Sequence, residues 1–392
     1  MWLQSSYIRG FPQQRFIAVI LIIFLFGLLF WPFGCVHQSS LPPEPALPED
    51  LISQAYVRVA ILPVHNRSSA PAPLDKINQL LNDLVQGPGI IPVEASALEA
   101  FMARNRLRYL GGINPYTAER IKEEAGAEAV LITSLDLYND HSPSKIALTS
   151  RLVSVIGWPR IIWTNKVAMA ASDTRGLFNL SLVNNPDDLK RQALKALFEP
   201  LSFSQLSTEA RVKRLRKQIR FGPKTRYFSP LQSPKEQYTI AVLPFYNNCE
   251  RKYAGDIIGD LFVKELADIP EFEVIEPGVI RELMLSLRII MEDGLSLSNA
   301  GMIFGKLDAD LIISGRVLDF QDYQSAFGRP LVDFSVLVIE RQSQQVIWTS
   351  KSYNHGEEGV FFFDYGKIRT AHTLASAMVL QIVDSIAKRI LP

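Results

Sequence analysis

The side chains that most often carry catalysis or hold metals are few in this 392-residue chain, and their spacing does not suit either task. The five histidines are His37, His65, His141, His355 and His372. No two stand at metal-ligand spacing on one helix, and none neighbours a cysteine motif. The two cysteines, Cys35 and Cys249, exclude a disulfide framework and a zinc site built mainly on cysteine. His65 and Cys249 each follow an apolar β-type run, where a catalytic group can sit, although loop residues of these types are the commoner case. A nucleophilic Cys249 would need a histidine beside it in space. Asp308 and Asp310 form a carboxylate pair ahead of a strand, but their counterparts earlier in the chain are Gly126 and Glu128, which reads as a loop. Gly301 and Gly305 lack the Lys-Ser/Thr of a phosphate loop. Gly315 lies in Ser-Gly-Arg, not in a nucleophile elbow. No catalytic residue, cofactor or metal is therefore expected, and the chain is not expected to be an enzyme.

Cys35 carries a different chemistry. Residues Phe16 to Phe33 are almost wholly apolar, which is long enough for a helix to cross a bilayer. Arg9 and Arg15 precede the run and no acidic residue does, so the rest of the chain is sent across the membrane. The run ends at Gly34-Cys35, which resembles the lipobox of bacterial lipoproteins. That resemblance implies cleavage before Cys35 and acylation of its thiol and new amine. Pro32 and Phe33 depart from the lipobox pattern, and the run is long for a signal peptide. An uncleaved transmembrane anchor is the alternative. Residues 1–35 are thus a signal or anchor, and the proline-rich residues 36–54 form an extended tether.

Composition is globular: 47% hydrophobic, 21% charged, and a net charge of +1 that gives no general affinity for nucleic acid. Self-similarity organises the remainder. Val59 to Asn66 reads VAILPVHN and Ile240 to Asn247 reads IAVLPFYN. Ile90 to Glu94 matches Phe272 to Glu276, AVLITS after Glu128 matches LIISG after Asp310, and Ile162-Trp163-Thr164 matches Ile347-Trp348-Thr349. A tandem duplication is expected: one domain over 55–204, a basic linker over 205–236, and a second domain over 237–392.

Each repeat has the same grammar. An apolar strand ends at proline, Pro63 or Pro244. An amphipathic helix follows, with Leu74, Ile77, Leu81, Leu84 and Val85 on one face, or Ile257, Ile258, Leu261, Phe262 and Leu266. Ser96 and Glu99 have capping-box spacing at the next helix, and Pro277 opens its counterpart. Strands at Ala129–Leu137 and Leu311–Phe320 lead into two hairpins, and a last helix starts near Asp187 or Lys367. The order β-α-β-α-α-β-β-β-α predicts an α/β fold with a mixed sheet covered by helices. The sequence does not decide whether the two repeats pack as a pseudo-dimer, although a duplicated domain that once paired with itself could do so.

Two segments could meet partners. The stretch from Arg211 to Arg226 has no acidic residue, and Arg211, Lys213, Arg214, Arg216, Lys217 and Arg220 could contact an anionic lipid or cell-wall surface. The alternative, and the commoner case for a charge run, is a solvated helix and linker joining two domains. Phe361, Phe362, Phe363 and Tyr365 could form an exposed contact patch. An irregular segment packed on its own sheet, or a contact between the two repeats, is the alternative.

These patterns resemble a family of bacterial envelope lipoproteins that includes the curli secretion protein CsgG and the penicillin-binding-protein activator LpoB, with a related look in the TolB amino-terminal domain. The second repeat fits better, with its Leu-Pro-Phe strand end, Gly315 and Trp348. In the first repeat Val64 and Thr133 replace the phenylalanine and glycine. The resemblance implies a periplasm-facing scaffold or activator, in the outer or the inner membrane, that works through an envelope protein partner and could form a homo-oligomer. It transfers no catalytic residue. A secretion pore or ring is the second reading, disfavoured because no membrane-crossing hairpins interrupt the repeats. An envelope hydrolase is a remote third.

Overall fold

The computed structural model describes residues 56–86, 89–171, 185–201, 220–232, 234–291, 294–323, 329–360 and 366–391. Cys35 with its apolar run and tether lies outside the described residues. So do Arg211, Lys213, Arg214, Arg216 and Lys217, and Phe361, Phe362, Phe363 and Tyr365. Among the described residues no helix is long and apolar enough to cross a membrane.

The first half runs β1 (Val57–Ile61), β2 (His65–Asn66), α1 (Leu74–Val85), β3 (Ile90–Pro92), α2 (Ala95–Arg104), α3 (Pro115–Ala125), β4 (Ala129–Asn139), β5 (Lys145–Ser154), β6 (Arg160–Ala170) and α4 (Pro186–Phe198). The second half runs β7 (Thr225–Phe228), β8 (Tyr238–Val242), β9 (Tyr246–Asn247), α5 (Ala254–Ala267), β10 (Phe272–Val274), α6 (Pro277–Ser286), α7 (Leu297–Phe304), β11 (Leu311–Gln321), β12 (Leu331–Glu340), β13 (Val346–His355) and α8 (Ala371–Ile390). The result is a mixed α/β structure with two mixed sheets.

The first sheet has the order β3-β1-β4-β5-β6, with β2 also pairing β4. Strands β3, β1 and β4 are parallel, and β5 and β6 run antiparallel. The second has the order β10-β8-β11-β12-β13-β7, with β9 pairing β11. Its extra edge strand β7 lies within the stretch read as a linker and pairs antiparallel with β13. Both long central strands carry an irregularity, at Asp136 in β4 and at Leu318 in β11. Such a bulge re-aims the side chain it frees.

Helices cover each sheet for reasons written locally. Asn114 caps α3 by accepting from the Thr117 N–H (2.7 Å), Pro115 needs no donor in the first turn, and Gly126 ends the helix at φ 64°. At α2 the capping box does not form. Glu94 holds the N-cap position, and Ser96, two residues further on, donates to the Glu94 carboxylate at 2.6 Å. In the first half α1 and α4 pack on the face bearing Val57, Val59, Leu131 and Leu148. Helices α2 and α3 cover part of the other face, over Ala60, Val130, Ile132 and Val153. In the second half α5 and α8 take the first role, over Ile240, Leu311 and Val336. Helices α6 and α7 take the second, over Ala241, Ile312 and Ile339.

The Phe/Gly and Val/Thr pairings seen in sequence have a packing cause. A Cβ on Gly315 would collide with the ring of Phe245 and the Ser335 carbonyl. Phe245 then stacks on Phe262 at 5.3 Å between centroids. The first half puts the smaller Val64 at the Phe245 position, and Thr133 takes the glycine's place.

Candidate functional site

The charged groups gather where the first sheet meets the second half. Strand register sets the correspondence between halves. Ala129 pairs with Val59 and Ser154, as Leu311 pairs with Ile240 and Glu340. Hence Asp136 corresponds to Leu318, Arg151 to Leu337, Thr149 to Ser335 and Lys166 to Lys351.

The sheet face that carries Ile132 and Val153 towards α2 and α3 continues through Asp136, Thr149, Arg151 and Lys166 towards α5 and α8. Arg67, just after β2, bonds Asp136 Oδ1 through Nε (3.0 Å) and through a terminal nitrogen (2.8 Å), and it pairs with Asp260 of α5 at 2.8 Å. Arg151 meets Glu276 at 3.0 and 3.2 Å and Asp260 at 3.3 Å, and donates to the Gly111 carbonyl. The Ile113 N–H donates to Glu276 at 3.1 Å. Asp136 Oδ2 accepts from Thr149 at 2.5 Å and faces His372 Nε2 at 3.2 Å. Arg251 donates to the carbonyls of Arg67 and Asp136, and Lys166 pairs with Glu265. Arg67, Asp136, Arg151, Glu276 and His372 are all buried.

Burial alone would oppose these charges, and the partners decide the outcome. Desolvation favours the neutral acid at Asp136, but Arg67 and the hydrogen bonds from His372 and Thr149 outweigh it, holding the carboxyl at about 2. Arg67 and Arg151 resist the same penalty because carboxylates surround them, and both are held above the usual guanidinium value. Asp256, at the rim, is pushed up by burial. Tyr109 is pushed up to about 12, chiefly by burial, and lies under the Arg281 guanidinium at 4.1 Å.

Backbone contact seals the same boundary. Gly112 and Gly278 approach so closely that a Cβ on Gly112 would lie 2.7 Å from the Gly278 nitrogen, and one on Gly278 would run into Ile113. Arg160 forms a β-bridge to Ile275. The halves therefore pack through unlike surfaces, a sheet face against a helix layer, and not about a pseudo-two-fold axis. The reciprocal of the Lys166–Glu265 pair would join Lys351 to α1, and Lys351 is instead exposed.

That asymmetry leaves the matching face of the second sheet open. β5 is buried at every residue, whereas β12 alternates between buried and half-buried. In β13 Thr349, Lys351 and Tyr353 face outward and are exposed. Tyr227 of β7 is 57% exposed beside them. A cleft of about 360 Å³ lies here, lined in part by Thr225, Leu295, Arg316, Ser335, Leu337 and Lys351. Asp333 Oδ1 on this face is buried with no hydrogen-bond partner among the described residues, and burial pushes its carboxyl up.

Of the residues singled out from sequence, His372 lies within this cluster, and the others lie apart from it or at its edge. His65 touches Tyr109 and Tyr253 edge-on, and burial with the charge of Arg67 lowers its pKa. The Cys249 thiol donates to Asn247 Oδ1 at 3.1 Å, and burial pushes it up, away from the reactive thiolate. Asp308 pairs with Arg341 at 2.6 Å, and Asp310 with Lys235 at 2.5 Å. Arg220 donates to the carbonyls of Glu358 and Gly366, both at 2.6 Å. Among the described residues no group of three or more His, Cys, Asp or Glu could hold a metal ion. Sequence reasoning missed the buried cluster. Its one signal was charge inside apolar strands: Asp136 in SLDLY, and Arg151 in LTSRLVS.

Comparison with known protein families finds no match, and comparison with curated proteins finds none. Solved structures give distant likenesses. A PelC dodecamer from Paraburkholderia phytofirmans is 15% identical over 43% of this chain and 98% of its own, with a TM-score of 0.29. The LpoB C-terminal domain from Salmonella enterica is 23% identical over 29% and 83%, at 0.25. A lipoprotein from Neisseria meningitidis is 16% identical over 37% and 99%, at 0.25. At these scores the likenesses carry no argument about what this chain does.

Proposed function

We propose that this protein is a membrane-anchored scaffold or activator of the bacterial cell envelope, facing the periplasm, that works through protein contacts and not through catalysis. Its two halves are read as a tandem duplication, because both sheets repeat one pairing order and one bulge position. Acylation at Cys35 would anchor it to the outer or the inner membrane. The observation that carries the reading is the difference between β5 and β12. The first half uses its sheet face, with every charged group fixed, to bind the second, while the second half offers the same face to an outside partner. Sheet faces rimmed by exposed tyrosines are suited to contact.

Two measurements test this reading. Intact mass of membrane-extracted protein should equal the chain from Cys35 onward plus acyl groups, and Cys35→Ala should lose that mass. A mass equal to the full chain in both would replace the acyl anchor by a transmembrane one. A photoreactive amino acid in place of Tyr353 should give covalent protein adducts in intact membranes. A clean absence of adducts would overturn the contact-face reading.

A further inference from the structure

We propose that molecules of this protein associate head to tail, with the open face of the second sheet receiving helix α1 of a second molecule. This rests on the contact-face reading and names its partner.

The chain itself shows what covers such a face. The first sheet is covered by α5, and the equivalent of α5 in the first half is α1. The buried residues Ile77, Leu81 and Val85 of α1 match Ile258, Phe262 and Leu266 of α5. Eleven of the fourteen α5 residues are buried, since one side meets its own sheet and the other meets the first half. Only three of the twelve α1 residues are buried, which leaves its outer side open. One molecule thus carries an unfilled acceptor at one end and an unused donor at the other. Contacts of unlike surfaces repeat without a two-fold axis and propagate to a ring or a filament.

The substitutions on the two open surfaces agree with each other. Arg151 and Asp136, charged in the filled interface, correspond to Leu337 and Leu318 on the open sheet. On the helix side Glu265 corresponds to Leu84 and Asp260 to Gln79. None of the ion pairs of the filled interface is repeated between the two open surfaces, which suits a contact that must also exist apart from its partner. A buried ionic cluster left half-made would be costly, and an apolar pair is not. Arg316 and Lys351 stand on the sheet beside Asp319 and Asp333, and Asp75, Asp83 and Lys76 are exposed on α1. In this geometry Lys351 meets the end of α1 at Leu84, as Lys166 meets Glu265.

The test uses the full chain. With the photoreactive residue at position 353 in membranes, adducts should join two molecules and map to the peptide Leu74–Val85. Adducts joining position 353 to the second sheet of another molecule would overturn head-to-tail association in favour of a two-fold one. Adducts only to a different protein would overturn self-association and leave the contact-face reading standing, and no adducts would overturn both. In detergent solution, sedimentation should show association weakened at least tenfold by Leu84→Arg, which places like charge against Lys351. Adding Lys351→Glu should restore it. Failure of that rescue, with both variants folded by circular dichroism, would also overturn the proposal.

Discussion

β5 and β12 occupy the same place in two sheets of the same pairing order, yet one is buried on both faces and the other on one. The difference is not in the strands' own covering helices. It comes from α5, which lies between the two sheets and serves both. The first half is a surface already occupied, held by buried charge. The second is the same surface unoccupied, with Leu318 and Leu337 where the first has Asp136 and Arg151. A permanent contact can hold ion pairs away from water because both partners fold together. A contact that opens cannot leave such groups unpaired.

The sharpest way to break this contrast is Arg151→Met. It leaves Glu276 and Asp260 buried beside each other without their shared cation, and unfolding in urea should show a loss of about 3 to 5 kcal/mol. At the corresponding Leu337, replacement by Met conserves volume and should cost under about 1.5 kcal/mol. Equal losses at the two sites would mean that the halves are held alike. Next is Gly278→Ala, where the added methyl runs into the Ile113 backbone. A loss of about 3 kcal/mol is expected from such overpacking, with a lower unfolding midpoint.

The pH dependence sharpens the comparison further. Asp136 has a folded pKa of about 2, below the ordinary 3.8. A depressed carboxylate contributes stability that is full above its unfolded pKa and is lost as pH falls through its folded one. Acid titration should therefore remove about 2 kcal/mol between roughly pH 4 and pH 2, and Asp136→Asn should flatten that segment. Leu318, its counterpart, contributes no such slope. The smallest effect belongs to Lys351→Met, where removal of an exposed amine should change monomer stability by no more than about 0.5 kcal/mol.

Much of this fold was legible in the chain. Apolar runs marked β4, β11 and β12 to within a few residues, because strands buried on at least one face must read that way. Trp163 and Trp348 fixed the register of the last strands. The helix that follows Pro277 opens where the proline allows. β7 was not legible, since four residues of TRYF in a basic stretch become a strand only through the free edge of β13. The ionic cluster was equally hidden. Arg151 and Glu276 are separated by 125 residues, and no local pattern announces their meeting. What could be read was the anomaly of an arginine within an apolar strand, which requires a buried partner somewhere. The direction of packing, sheet to helix layer, could not be read at all, because the helical pattern of α5 does not say that its outer side is covered.

The most direct test of the account compares two lysines. Brief amine acetylation of the protein in native membranes, and of the dilute purified chain, followed by peptide mass analysis, would report the exposure of Lys166 and Lys351. The account predicts that Lys166 is protected in both, and that Lys351 is modified rapidly in the dilute chain and protected in membranes. Rapid modification of Lys351 in both settings would contradict a contact at the open face, and modification of Lys166 as fast as Lys351 would contradict the occupied one.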